Sequence, residues 1–180
     1  MNPASDDEDH RRGRAPPATP RWQWSRMPRL APAELYAALA ARQQVFTVEQ
    51  HCAFLDADGH DADGWHLLGW AKDSNGERLV AYLRVLDPGR KFAEPSIGRV
   101  LTLAPYRGVG LGRILMVEGI ARTAEVWPGR AIRIAAQHRL EPFYSRLGFL
   151  SASPPYDEDG IPHVDMVLEA DLARTARTRI

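Results

Sequence analysis

Residues 105–116 read PYRGVGLGRILM, a glycine-rich turn between an apolar run, SIGRVLTLAP (96–105), and a helical pattern that stops near Trp127, Pro128 and Gly129. Glycines at a strand-to-helix junction let backbone amides approach an anion, and the helix N-terminus adds unpaired N–H groups with partial positive charge. The turn therefore suits a phosphate or pyrophosphate. A Walker loop needs Lys and then Ser or Thr after its glycines, whereas Arg113 and Ile114 follow GVGLG (108–112). The dinucleotide fingerprint GxGxxG also fails from either starting glycine, because Arg113 and Leu115 stand where its last glycine belongs. Taken alone, GxGxG is equally the tight turn of an ordinary strand–helix junction.

Downstream of the turn, AIRIAAQ (131–137) reads as a buried strand and RLEPFYSRLG (139–148) as a short helix ended by Gly148 in the C-cap position. FLSASPPY (149–156) and HVDMVLEA (163–170) read as two further strands. Upstream, WHLLGWAK (65–72) and ERLVAYLRVLD (77–87) flank Asn75-Gly76, a strong hairpin signal between apolar runs. Before them Leu35, Leu39, Arg42 and Phe46 recur at helical spacing behind Pro32, which suits a first helical turn, and Trp22 and Trp24 alternate like a short strand. The order predicts a mixed α/β domain whose strand, glycine turn, helix and strand form a right-handed parallel crossover.

With 180 residues, 23 basic against 23 acidic side chains and 44% hydrophobic content, the chain describes one domain large enough to hold its own core. Residues 1–20 carry an acidic run, three arginines and a Pro pair but almost no apolar side chain, and are expected to be a disordered tail. The domain is expected over residues 21–172 and a short basic C-terminal tail over 173–180. Cys52 is the only cysteine, which excludes an internal disulfide and fits a reducing, cytoplasmic setting. No apolar run of the ~18 residues a membrane span needs is present, and the start does not read as a secretory signal. A net charge of zero, with 21 scattered Arg and two Lys, Lys72 and Lys91, disfavours a nucleic-acid binder.

PYRGVGLGRILM together with PFYSRLGF (142–149) resembles the two hallmark motifs of the GCN5-related N-acetyltransferases (GNAT). Arg107, Gly110 and Gly112 match that family's RxxGxG, and Phe143, Tyr144, Gly148 and Phe149 match its FYxxxGF. The stretches 45–70 and YDEDGIPHVDM (156–166) look like the ElaA branch, so the resemblance covers nearly all of residues 22–169. Gln137 and Leu140 depart from the Asn and Ala that many relatives carry there. The resemblance implies an α/β GNAT fold: a central, splayed, mostly antiparallel sheet of six to seven strands flanked by about four helices. It implies acetyl-CoA as co-substrate, without a metal, inserted between the strands of SIGRVLTLAP and AIRIAAQ. The pantetheine would pair with the backbone of Leu101, Thr102 and Leu103 like an added strand. The pyrophosphate would rest on the amides of Gly108, Val109, Gly110, Leu111, Gly112 and Arg113, with Arg107 and Arg113 adding charge-assisted contacts.

Direct acetyl transfer needs a base for the amine, a donor for the carbonyl oxygen as it gains charge, and an acid for the departing thiolate. Tyr144 matches the family's frequent acid, and a backbone N–H near Leu103 is expected to serve the oxygen. Glu49, His66, His138 and His163 are base candidates, with His163 and Glu49 leading because each lies in an ElaA-like stretch. Asp56, Asp58, His60, Asp61, Asp63 and His66 also invite a metal reading, but an EF-hand counted from Asp56 meets Asp61 and Leu67 where Gly and Glu belong. Zinc on His60 and His66 and a solvated loop with Asx turns both stay open. Cys52 as an acetyl-accepting nucleophile lacks an evident oriented base. The expected activity is acetyl transfer to a primary amine of a small molecule or protein, by a monomer or homodimer acting on neither nucleic acid nor membrane. The rival is a catalytically silent acyl-CoA sensor.

Overall fold

In the computed structural model, which describes residues 20–52, 54–73 and 76–176, the apolar runs on both sides of the glycine turn join one eight-stranded sheet. Its strands are β1 (Arg21–Arg26), β2 (Gly64–Asp73), β3 (Gly76–Leu86), β4 (Ser96–Thr102), β5 (Ile132–Gln137), β6 (Leu150–Ser151), β7 (Tyr156–Glu158) and β8 (Ile161–Leu168). They run in the order β1-β2-β3-β4-β5-β8-β6, with β7 also on β8, and every pair is antiparallel except β4 with β5. The α-helices are α1 (Pro32–Arg42), α2 (Leu111–Val126), α3 (Glu141–Ser145) and α4 (Ala170–Arg174), and α1 runs on as a π-helical segment, Gln43–Glu49. The sheet exceeds the expected six to seven strands at its far edge. There β7 and β8 turn back on each other through Asp159 and Gly160, whose φ values of +55° and +78° suit a primed two-residue turn.

β3 is buried from Leu79 to Leu86 because both of its faces are covered. Val80, Ala81, Leu83 and Val85 belong to the larger core with α2, whereas Leu79 and Tyr82 pack with Ala38, Ala41 and Phe46 from the α1 side. Gly119 lets α2 lie close, since a Cβ there would stand 2.5 Å from Leu83 Cδ2. The predicted hairpin is seen from its stems, Asp73 paired with Gly76, while residues 74 and 75 lie outside the described residues. Most of the expected N-terminal tail, residues 1–19, and residues 177–180 lie outside them as well. The packed chain continues past the expected boundary at residue 172: α4 buries Ala173, and Ala176 joins the same core.

Two departures from regular pairing make the cleft. β4 and β5 share one Cα pair, Ser96 with Arg133, supported by Arg133 N–H donating to Pro95 O at 3.0 Å, and beyond it they carry no further pair. β4 also carries a bulge against β3, since Tyr82 pairs with Leu101 but Arg84 with Gly98. Arg99 sits in that bulge at φ +53°, which turns its side chain toward the loop 54–61.

Candidate active site

At the phosphate end, Gly110 caps α2 in the left-handed region at φ +82° and Gly108 precedes it at φ +80°. A Cβ at either would meet nothing within 4 Å, so the turn is an open cradle rather than a packed corner. Arg113 and Ile114 donate their amides to Gly110 O at 3.0 and 3.2 Å, which leaves the amides of Leu111 and Gly112, in the first turn, without an intrahelical acceptor. These two amides are of the kind a pyrophosphate takes, whereas the Arg113 amide, also expected to serve it, is engaged in the helix. Arg107 Nε donates to Thr102 O at 2.8 Å, and its Nη2 meets Glu49 Oε2 at 2.7 Å, fastening the turn to both β4 and the π-helical segment.

The edge of β4 is set by strand alternation. Leu103 N–H donates to Val80 O at 3.0 Å, so it faces β3 and not the opening, and a donor near Leu103 for the acetyl oxygen has to come from a neighbouring position. Thr102, whose carbonyl takes Arg107 from the other side, presents its backbone to the cleft.

Between the splayed strands lies a narrow cavity of about 130 Å³ whose walls include Gln50, Cys52, Gln137, Leu140, Tyr144 and His163. Tyr144 stands edge-on to Phe143 and Phe149, with centroids 5.0 and 6.0 Å away, and burial pushes its hydroxyl pKa up to about 12. Gln137 Nε2 donates to Gln50 Oε1 at 3.0 Å, and Arg139 Nε donates to Gln137 Oε1 at 3.0 Å. Sequence reading missed Gln50, because its partner lies 87 residues away and no local periodicity marks it. Cys52 is buried beside Gln50, and burial pushes its thiol up, away from the thiolate a nucleophile needs.

A wider cavity of about 550 Å³ continues outward, lined among others by Phe54, Lys91, Arg99, Glu158, Asp159 and His163. His163 borders both spaces. Its Nδ1 lies 2.8 Å from Ile161 O, and because a carbonyl only accepts, this contact places a proton on Nδ1, so the neutral ring carries its lone pair on Nε2. The other base candidates lie elsewhere. His66 is buried between Tyr82 OH at 2.7 Å and Asp61 O at 2.9 Å, with burial lowering its pKa. His138 pairs with Glu141 at 3.2 Å, and Glu49 is held by Arg107 outside both cavities.

The acidic loop is not simply solvated, and the carboxylates on which a zinc reading would draw are taken by arginines. Arg42, drawn inward from the apolar stripe of α1, meets Asp56 Oδ2 at 2.8 Å and Asp61 Oδ1 at 2.6 Å. Arg84 meets Asp58 at 2.6 Å and Asp61 at 2.7 Å, and Arg99 meets Asp56 at 2.8 Å and Asp58 at 3.0 Å. Burial works against the carboxylates of Asp58 and Asp61, but the guanidinium groups outweigh it and hold both below the usual carboxylate range. One Asx turn is present, His60 N–H on Asp58 Oδ1 at 3.1 Å. Asp56, Asp58 and Asp61 are thus committed to arginines, and the loop is clamped as a wall of the wider cavity.

A splayed β4/β5 opening, a helix N-terminus with open glycines at one end and a Tyr144–His163 chamber at the other make up the site. Residues 65–170 match the family model described as an acetyltransferase (GNAT) domain. The chain belongs to the GNAT family. Within it, the chain is 38% identical to protein ElaA of Escherichia coli (strain K12) over 150 residues, 82% of this chain and 95% of that protein. It is 41% identical to a UPF0039 protein of Synechocystis sp. over 146 residues, 81% of this chain and 93% of the relative. Among solved structures, an acyl-CoA N-acyltransferase from Pseudomonas aeruginosa superposes with TM-score 0.77 at 37% identity, covering 83% of this chain and 99% of that one. The crystal structure of Escherichia coli ElaA superposes with TM-score 0.76 at 37% identity and the same coverage. This GNAT chain is an ElaA-like member, and acyl transfer is the general chemistry of its family and its acyltransferase neighbours. Among the described residues of this GNAT domain, no helix is long and apolar enough to cross a membrane.

Proposed function

We propose that the protein is an N-acetyltransferase that moves an acetyl group from acetyl-CoA to a primary amine by direct attack. The observation that carries this reading is the pair Tyr144 and His163 on one narrow cavity, the first keeping its proton and the second engaging Ile161 O through Nδ1, which leaves Nε2 for the lone pair of the neutral ring. Acetyl-CoA supplies the thioester, with its pantetheine along the Thr102 edge and its pyrophosphate on the amides of Leu111 and Gly112. His163 Nε2 takes the proton of the acceptor's ammonium group, directly or through a water. A cleft-facing backbone N–H of β4 donates to the carbonyl oxygen as it gains charge. Tyr144 gives its proton to the departing thiolate, a role its buried hydroxyl suits because it stays protonated at working pH. Glu49, the other candidate base, is better placed as the partner that fixes Arg107. The lone Cys52 fits a reducing, cytoplasmic compartment.

The test is calorimetric titration of acetyl-CoA into the purified chain, followed in the same preparation by thiol release across a panel of primary amines. Binding with amine-dependent thiol release supports the transferase. Binding with no release for any amine favours the acyl-CoA sensor instead, and absence of binding removes the cradle assignment.

A further inference from the structure

We propose that Lys91 is itself an acetyl acceptor, a self-modification site at the mouth of the wider cavity; this rests on the acyl-transfer reading above. The chain uses 21 Arg and only two Lys, so a primary amine on its surface is uncommon. Arginine could not play this part, because its guanidinium keeps its proton and is no nucleophile, whereas an ammonium group becomes one on losing a proton. Lys72 lies in β2 opposite Glu77, near the hairpin end, and borders neither cavity. Lys91 borders the wider cavity, with Nζ 3.3 Å from Glu158 Oε1. The other oxygen of Glu158 lies 3.8 Å from His163 Nδ1. One carboxylate therefore separates the Lys91 ammonium from the histidine that borders the acetyl chamber. The Lys91 side chain is 44% exposed, so its four-carbon stem is free to swing. Its ammonium occupies the place in which a cationic acceptor would wait.

The step balances with acetyl-CoA alone. The Lys91 ammonium gives a proton to His163 Nε2, and its nitrogen lone pair attacks the acetyl carbon. The amide C–N bond forms as the thioester C–S bond breaks, the nitrogen releases its second proton to solvent, the thiolate takes the Tyr144 proton, and His163 returns its proton to Tyr144 through solvent. Acetylation removes the Lys91 charge and with it the pair on Glu158. That carboxylate is then left for an external ammonium, so self-acetylation clears the mouth for the substrate.

The experiment incubates the full chain with acetyl-CoA and no added amine, and follows the acetyl group on each lysine by peptide mass spectrometry. Lys91 is expected to gain the label at least ~10-fold faster than Lys72, since a positioned amine gains from proximity. The preference should saturate with acetyl-CoA and vanish in the heat-unfolded chain. Lys91→Arg, which keeps a cation for Glu158, should lose the label. Equal, slow labelling of Lys72 and Lys91 in the folded chain overturns the site. If an external amine is then turned over while Lys91 stays unmodified, the transferase stands and this inference alone fails. If acetyl-CoA neither binds nor labels, both fail.

Discussion

Arg42 Nη1 stands 2.6 Å from Asp61 Oδ1, and the same carboxylate oxygen receives Arg84 Nη1 at 2.7 Å, so one buried aspartate bridges cations from α1 and β3. Removing it leaves two guanidinium groups, each less than 5% exposed, with part of their charge uncompensated. Asp61→Ala is therefore expected to destabilise the fold by about 3–5 kcal/mol, the usual cost of breaking one side of a buried pair. Urea denaturation of both proteins measures it. A loss under about 1 kcal/mol would show that the network contributes little beyond what a surface pair does.

Asp58 and Asp61 also set a pH dependence. Both carboxyls are held lower in the folded chain than in the unfolded one, so their stabilising contribution is complete above the unfolded carboxylate pKa of about 4. It declines as the pH falls from there toward their folded values. Denaturation midpoints should drop steeply below pH ~4, and Asp58→Asn should flatten part of that slope. A midpoint insensitive to acid in both proteins would contradict the arrangement.

Most of this clamp was hidden in the sequence for a physical reason. Arg42 falls in register with Leu35, Leu39 and Phe46, so periodicity reads it as a member of the buried stripe and says nothing of its ends. Its partners, Asp56 and Asp61, lie 14 and 19 residues away across a loop, and Arg99 reaches Asp56 over 43. Carboxylates and histidines in one loop look alike whether they await a metal or an arginine. The glycine cradle was legible because every part of it is local: strand, positive-φ glycines and helix start within one short stretch. The direction of the Leu103 amide was not, because it depends on which edge of β4 pairs with β3, and a bulge at Arg99 shifts that count.

Gly110 and Gly119 should separate binding from folding. At Gly110 the backbone has φ +82° and no neighbour crowds a Cβ, so Gly110→Val carries a local backbone cost of about 1–2 kcal/mol. It also places a branched side chain where the pyrophosphate would rest, and acetyl-CoA affinity is expected to fall at least ~10-fold, a loss of about 1.4 kcal/mol. Gly119→Ala instead drives a Cβ to 2.5 Å from Leu83 Cδ2, which should cost about 1–3 kcal/mol of stability. Its acetyl-CoA affinity should stay near the parent's. Calorimetry and thermal melts on the two variants test the division, and unaltered affinity in Gly110→Val would remove the cradle.

Tyr144→Phe leaves the rings of Phe143 and Phe149 their edge-on partner and deletes one hydroxyl from the narrow cavity. Acetyl-CoA affinity should therefore remain within about 2-fold of the parent, while turnover falls by about 10²–10⁴, the range for a lost general acid. The parent's pH profile offers a second readout. An ordinary tyrosine ionises near pH ~10, but burial pushes the Tyr144 hydroxyl up to about 12, so it keeps a proton to donate throughout the usual assay range. Tyr144 should accordingly impose no alkaline limb on the rate between pH ~8 and ~10. His163→Gln, whose amide has no lone pair basic enough to accept the ammonium proton, should lower turnover without weakening acetyl-CoA binding. Wild-type turnover in Tyr144→Phe would assign the thiolate's proton to solvent, and wild-type turnover in His163→Gln would leave the acceptor's deprotonation to water.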